Sequence, residues 1–142
     1  MDNSAPLEFH FIVEGNNFTS AGEASVEVKK ILRRIGLDSD VIRRVSIAMY
    51  EAEINMVIHA GGGEADVSVF PDRITLIMTD HGPGIADIEL AMREGYSTAP
   101  DNIRSLGFGA GMGLPNIKRY TDNLKIESEV GKGTKITMSV NI

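Results

Sequence analysis

Apolar and polar residues alternate along Leu7-Glu-Phe-His-Phe-Ile-Val13, a period of two that predicts a half-buried strand. Gly15-Asn-Asn breaks it. The period then lengthens, with Ala24, Val28, Ile31, Leu32 and Ile35 at three- and four-residue spacing, which predicts an amphipathic helix stopping at Gly36. Asp38-Ser-Asp40 caps a second helix over about 41–60, with an apolar stripe of Val45, Ala48, Met49, Ala52, Met56 and Ile58. Gly61-Gly-Gly63 stops it. Residues 65–70 and 73–79 alternate again around Pro71-Asp72, which predicts an antiparallel hairpin. A short helix follows over 86–93. Residues 95–111 show little periodicity, and a loop of that length in a compact domain is usually functional. A helix over 112–120 then leads to strands at 123–129 and 134–140, joined by Val130-Gly-Lys-Gly133. The clustered hairpins predict an α+β fold: a two-layer sandwich with a mixed, mostly antiparallel sheet packed on helices, in one domain spanning 1–142.

Composition narrows the function classes. The 142 residues are 42% hydrophobic and 24% charged, ordinary for a folded chain, and the net charge of −6 argues against a nucleic-acid or anionic-membrane partner. A local basic patch remains compatible with that total. Cysteine is absent, so there is no disulfide framework, thiolate metal site or thiol nucleophile, which fits a reducing cytoplasm. No leader pattern and no membrane-length apolar run is present, and a cytoplasmic protein is expected.

The densest chemical signal is Gly107-Phe-Gly-Ala-Gly-Met-Gly-Leu114. Alternating glycines opening into a helix bring backbone N–H groups close to an anion, with the helix dipole behind them. The stretch reads as a phosphate cradle. A dinucleotide fingerprint fails because no frame has glycine at the first, third and sixth positions, and a P-loop fails for want of its Gly-Lys-Ser/Thr ending. What remains is a series: Glu51 and Asn55 four apart on one helix face, Asp80-x-Gly82-x-Gly84 after a strand, the Gly107–Gly113 run before a helix, and Gly131-x-Gly133-Thr134 in the last hairpin.

In order and spacing these stretches resemble the four nucleotide-binding boxes of the gyrase, heat-shock-90, histidine-kinase and mismatch-repair ATPase superfamily. Within it, Glu51-Ala-Glu-Ile-Asn-Met-Val-Ile-His-Ala60, Glu94-Gly-Tyr-Ser-Thr98 and Gly113-Leu-Pro-Asn-Ile-Lys-Arg119 are similar to the small bacterial serine/threonine kinases that serve as anti-sigma factors or stress-signalling switches. The resemblance implies a histidine-kinase-like ATPase fold binding ATP and Mg2+. It implies Glu51 as catalytic base, Asn55 as the magnesium ligand, and Asp80, Gly82 and Gly84 at the adenine, with Thr134 supporting Asp80. Gly107, Gly109, Gly111, Met112, Gly113 and Leu114 would then surround the phosphates.

The implied activity is phosphorylation of a small STAS-type antagonist protein, with a sigma factor or phosphatase as a second partner; a homodimer is permitted. The alternative is a nucleotide-switched module that sequesters its partner without phosphotransfer. A gating motor is a third reading, but no transducer domain is attached. The segment 99–106 reads as long for the switch-kinase branch, and no phosphoacceptor-histidine region accompanies the domain. His10, His59 and His81 show no ligand spacing and read as structural or solvated. The Arg33-Arg34 pair reads as a solvated helix end, and Arg104, Ser97 and Thr98 as loop-surface residues within reach of a nucleotide.

Overall fold

The structure, a computed structural model, describes residues 6–15, 20–92 and 113–142. Its elements in chain order are β1 (Leu7–Glu14), α1 (Glu23–Ile35), α2 (Ser39–His59), β2 (Gly62–Val69), β3 (Arg73–Thr79), α3 (Ile88–Ala91), α4 (Gly113–Tyr120), β4 (Asn123–Glu129) and β5 (Gly133–Asn141). The strands form one sheet in the order β1-β2-β3-β5-β4. Every pairing is antiparallel, so the sheet is not mixed.

Register explains the single core. Phe9, Val67, Leu76, Met138 and Leu124 form one continuous row across all five strands, and Phe11, Ala65, Met78, Ile136 and Ile126 form the next. Both rows face the helices and pack with Val28, Leu32, Val45, Ala48, Met49, Ala52 and Ile117. The intervening positions, such as His10, Asp66, Thr137 and Lys125, lie on the other face. A one-residue slip would exchange the two faces, and the burial of the apolar rows forbids it.

Local chemistry sets the helix ends. Gly36 terminates α1 with φ of 87°, its N–H donating to the Leu32 and Arg33 carbonyls. Asp38 caps α2 by accepting from the Asp40 N–H, so the helix begins at Ser39, earlier than the hydrophobic stripe suggests. The stripe itself turns slightly: Val57 is buried where Ile58 was expected, and Ile58 is half-exposed. Helix α3 is shorter than expected because Asp87 caps it, accepting from Leu90 N at 3.0 Å. Gly62 and Gly63 end no helix; they pair with Glu14 and Val13 and open β2 three residues early.

Helix α1 has an unusual start. Its N-cap, Gly22, has no side chain to offer, and Glu53 from α2 takes over the task. One carboxylate oxygen accepts from Gly22 N at 2.8 Å and Ala24 N at 3.3 Å; the other accepts from Ser25 N at 2.9 Å and Ser25 Oγ at 2.7 Å. Glu53 is only 2% exposed, so this charge is buried and fully occupied. Anions are favoured at a helix N-terminus, where free N–H groups converge.

Candidate nucleotide site

The long helix α2 is fixed on one side by buried Val45, Met49, Ala52 and Met56. That anchoring presents Glu51 and Asn55, both half-buried, on a shared face one turn apart. Burial pushes the Glu51 carboxyl above its ordinary value, against a hydrogen bond with the Asn116 side chain on α4. Asn116 escaped the sequence reading of the site because its partner lies far back in the chain.

His59 escaped it too, although its signal was available. It continues the Glu51–Asn55 face by one more four-residue step. Burial lowers the imidazole below its ordinary value, and the charge of Asp80 opposes that shift. Glu53, two residues from Glu51, faces α1 instead.

Asp80 leaves the end of β3 and is held on three sides by backbone. Its N–H donates to the Thr134 carbonyl at 2.9 Å. Its Oδ1 accepts from Gly82 N at 3.0 Å and Thr134 N at 3.1 Å. Thr134 thus supports the carboxylate through its main chain, while its hydroxyl is 2.8 Å from Ser128 Oγ. Ser128 Oγ also accepts from Ile85 N at 2.7 Å, and Gly131 N donates to the Pro83 carbonyl at 2.8 Å. The 80–85 loop is thereby fastened to the β4–β5 hairpin.

Two glycines make that fastening possible. A Cβ on Gly82 would stand 2.6 Å from the Ala60 Cα and Cβ atoms, so the loop lies directly on the end of α2. Gly84 has φ of 78° and its Cβ would strike the Glu129 carbonyl. The loop therefore sets Asp80 beside the C-terminal half of α2, where Asn55 and His59 lie.

Of the remaining sequence-predicted residues, Gly113 is the first residue of α4, and Leu114 is buried in the core, leaving only its backbone to meet a ligand. Gly107, Gly109, Gly111, Met112, Ser97, Thr98 and Arg104 lie outside the described residues. His81 is exposed, and His10 pairs with Asp66 at 2.7 Å on the sheet's outer face. Among the described residues, no group of three His, Cys, Asp or Glu side chains could hold a metal, and no helix is long and apolar enough to cross a membrane.

Comparison with known proteins places this chain in a family. The family model for the histidine kinase-like ATPase domain matches residues 16–140. The chain is 36% identical to an anti-sigma F factor of Clostridium acetobutylicum, covering 97% of this chain and 93% of that protein. It is 31% identical to the serine/threonine-protein kinase RsbT of Bacillus subtilis, covering 76% of this chain and 78% of the kinase. Among solved structures, the RsbU and RsbW domains of a Mycobacterium tuberculosis protein align with a TM-score of 0.63 at 15% identity. That alignment covers 94% of this chain and 32% of the other, and it carries the fold alone. The chain belongs to the histidine kinase-like ATPase domain family, in its branch of anti-sigma factors and switch kinases.

Proposed function

We propose that the chain is an ATP-dependent serine/threonine protein kinase whose substrate is a small STAS-type antagonist protein. The observation that carries this reading is the half-buried Glu51, its carboxyl raised by burial, one helical turn from Asn55. A carboxylate of raised basicity suits a general base. Glu51 takes the proton of the attacking seryl or threonyl hydroxyl as its oxygen bonds to the γ-phosphorus; the bond to the β,γ-bridging oxygen breaks and ADP leaves. The Asn116 amide orients the carboxylate. Asp80 receives the adenine amino group on Oδ2, since Oδ1 takes both backbone donors.

Asn55 would offer a neutral amide oxygen to a magnesium ion held mainly by the phosphates and its own waters. Bound with ATP, the ion would neutralise phosphate charge. The glycine run ending at Gly113 would supply backbone donors for those phosphates.

The name of the clostridial relative supports a second reading, in which nucleotide binding serves to sequester a sigma factor without transfer. Labelled ATP separates the two. Label on a purified STAS-domain protein, lost in Glu51→Ala, is the expected result; nucleotide-dependent capture without label would replace the kinase reading by the sequestering one. Asp80→Asn is expected to abolish calorimetric ATP binding with an unchanged thermal midpoint, and wild-type affinity would remove Asp80 from the adenine.

A further inference from the structure

Six basic side chains gather at one end of the helical layer. Arg33 and Arg34 close α1, Arg43 and Arg44 lie early in α2, and Lys118 and Arg119 close α4. A short turn at residues 36–38 joins the first two pairs. Packing brings in the third: the Arg43 guanidinium lies 5.5 Å over the Tyr120 ring, and Arg44 pairs with Asp122 at 3.2 Å.

Neither the helix dipoles nor a nucleotide explains the cluster. Cations in the last turns of α1 and α4 are favoured by the dipole, but Arg43 and Arg44 lie past the first turn of α2, where the dipole offers them no support, and Arg43 pairs with Asp40 at 3.0 Å. They precede Glu51 and Asn55 by seven to twelve residues, roughly 10–18 Å along the axis, too far to serve phosphates held there. The patch is also an exception in charge. It holds six of the chain's 14 basic side chains and, with Asp38, Asp40 and Asp122, three of its 20 acids, leaving eight cations against 17 anions elsewhere.

We propose that this end of the helical layer docks an acidic segment of a partner protein. Five of the six cations are arginines, whose planar forks suit carboxylates. A nucleic-acid duplex suits the surface less, because its continuous phosphates would run onto the acidic remainder and past the three interspersed aspartates. The assignment goes beyond the kinase reading and does not depend on it. It makes the nucleotide end and the docking end two separate contact regions on one helix, α2.

The test uses the whole chain and a fluorescent oligoglutamate peptide, followed by anisotropy at low salt. Arg33→Glu, Arg34→Glu and Lys118→Glu together reverse three exposed charges without touching the Arg43 and Arg44 contacts. A matched control, Lys125→Glu, Lys132→Glu and Lys135→Glu, makes the same change in net charge on the β4–β5 hairpin. The expected result is peptide binding that weakens at least about tenfold in the patch variant and less than about threefold in the control, and that fades with added salt. Thermal midpoints of both variants are read alongside, and the expected loss occurs in a folded patch variant. Absence of peptide binding, or equal weakening in the two variants, overturns the proposal. So does tighter binding of a short DNA duplex than of the peptide, which would assign the patch to nucleic acid.

Discussion

Replacing Glu53 with Gln removes a negative charge and one acceptor from a carboxylate that serves four donors. The remaining carbonyl oxygen can still serve Ser25 N and Oγ, now without charge assistance. The new NH2 group then faces the N–H groups of Gly22 and Ala24, donor against donor. Two buried N–H groups left unsatisfied cost about 1–3 kcal/mol each. Because Glu53 is almost fully buried, water offers little relief, and we expect a net loss of about 3 kcal/mol after partial rearrangement. With a urea slope of about 2 kcal/mol per molar, the midpoint would fall by about 1.5 M. Amide exchange at Gly22, Ala24 and Ser25 would accelerate by about two orders of magnitude if α1 opens locally. Glu27→Gln, on the exposed face of α1, is the control. A midpoint for Glu53→Gln within about 0.3 M of that control would refute the account of Glu53 as the missing cap.

Two further perturbations probe the site. Because Glu51 acts when deprotonated and its folded-state value is raised, phosphotransfer should decline on acidification at a pH above the ordinary carboxylate range; a pH–rate profile checks this, and a decline confined to that ordinary range would contradict it. The same shift means the folded chain holds this proton more tightly than the unfolded one, so stability from Glu51 diminishes as pH rises through the raised value. Gly84→Ala forces a side chain into a positive φ and against the Glu129 carbonyl, at a cost of about 2 kcal/mol and about 6 °C in thermal midpoint. ATP affinity should fall with it as Asp80 loosens, and a midpoint within about 1 °C of wild type would refute the close approach.

Much of this molecule was legible because its signals are local. Alternation along 7–13, 73–79 and 134–140 gave the strands, and the Glu51–Asn55 spacing gave their shared face without any knowledge of the partner elements. The same spacing would have added His59, which was set aside only because it matched no metal-ligand pattern. Other features depend on distant partners. Glu53 bonds to groups 28 to 31 residues away, and nothing near it in sequence marks it as a cap for another helix. Asn116 meets Glu51 only once α4 packs on α2. Strand order is likewise invisible locally: two hairpins were expected, but not that β5 would lie between β3 and β4. Thr134 illustrates a middle case: its nearness to Asp80 followed from the motif order, but the contact runs through its main-chain N–H, which no side-chain pattern marks.

The position of β5 also bears on how the chain emerges from a ribosome. Until residues 133–141 are made, β3 has β2 on one side and nothing on the other, and its apolar Ile74, Leu76 and Met78 stand beside open backbone donors and acceptors. The loop bearing Asp80 is equally unfinished, since Thr134, Ser128 and Gly131 all arrive afterwards. At roughly 5–20 residues per second, the interval between completing β3 and completing β5 lasts several seconds. During that time the nascent domain exposes a strand edge open to foreign pairing and lacks the hairpin contacts that fix Asp80. The final strand thus closes the edge and assembles the carboxylate's support in a single event.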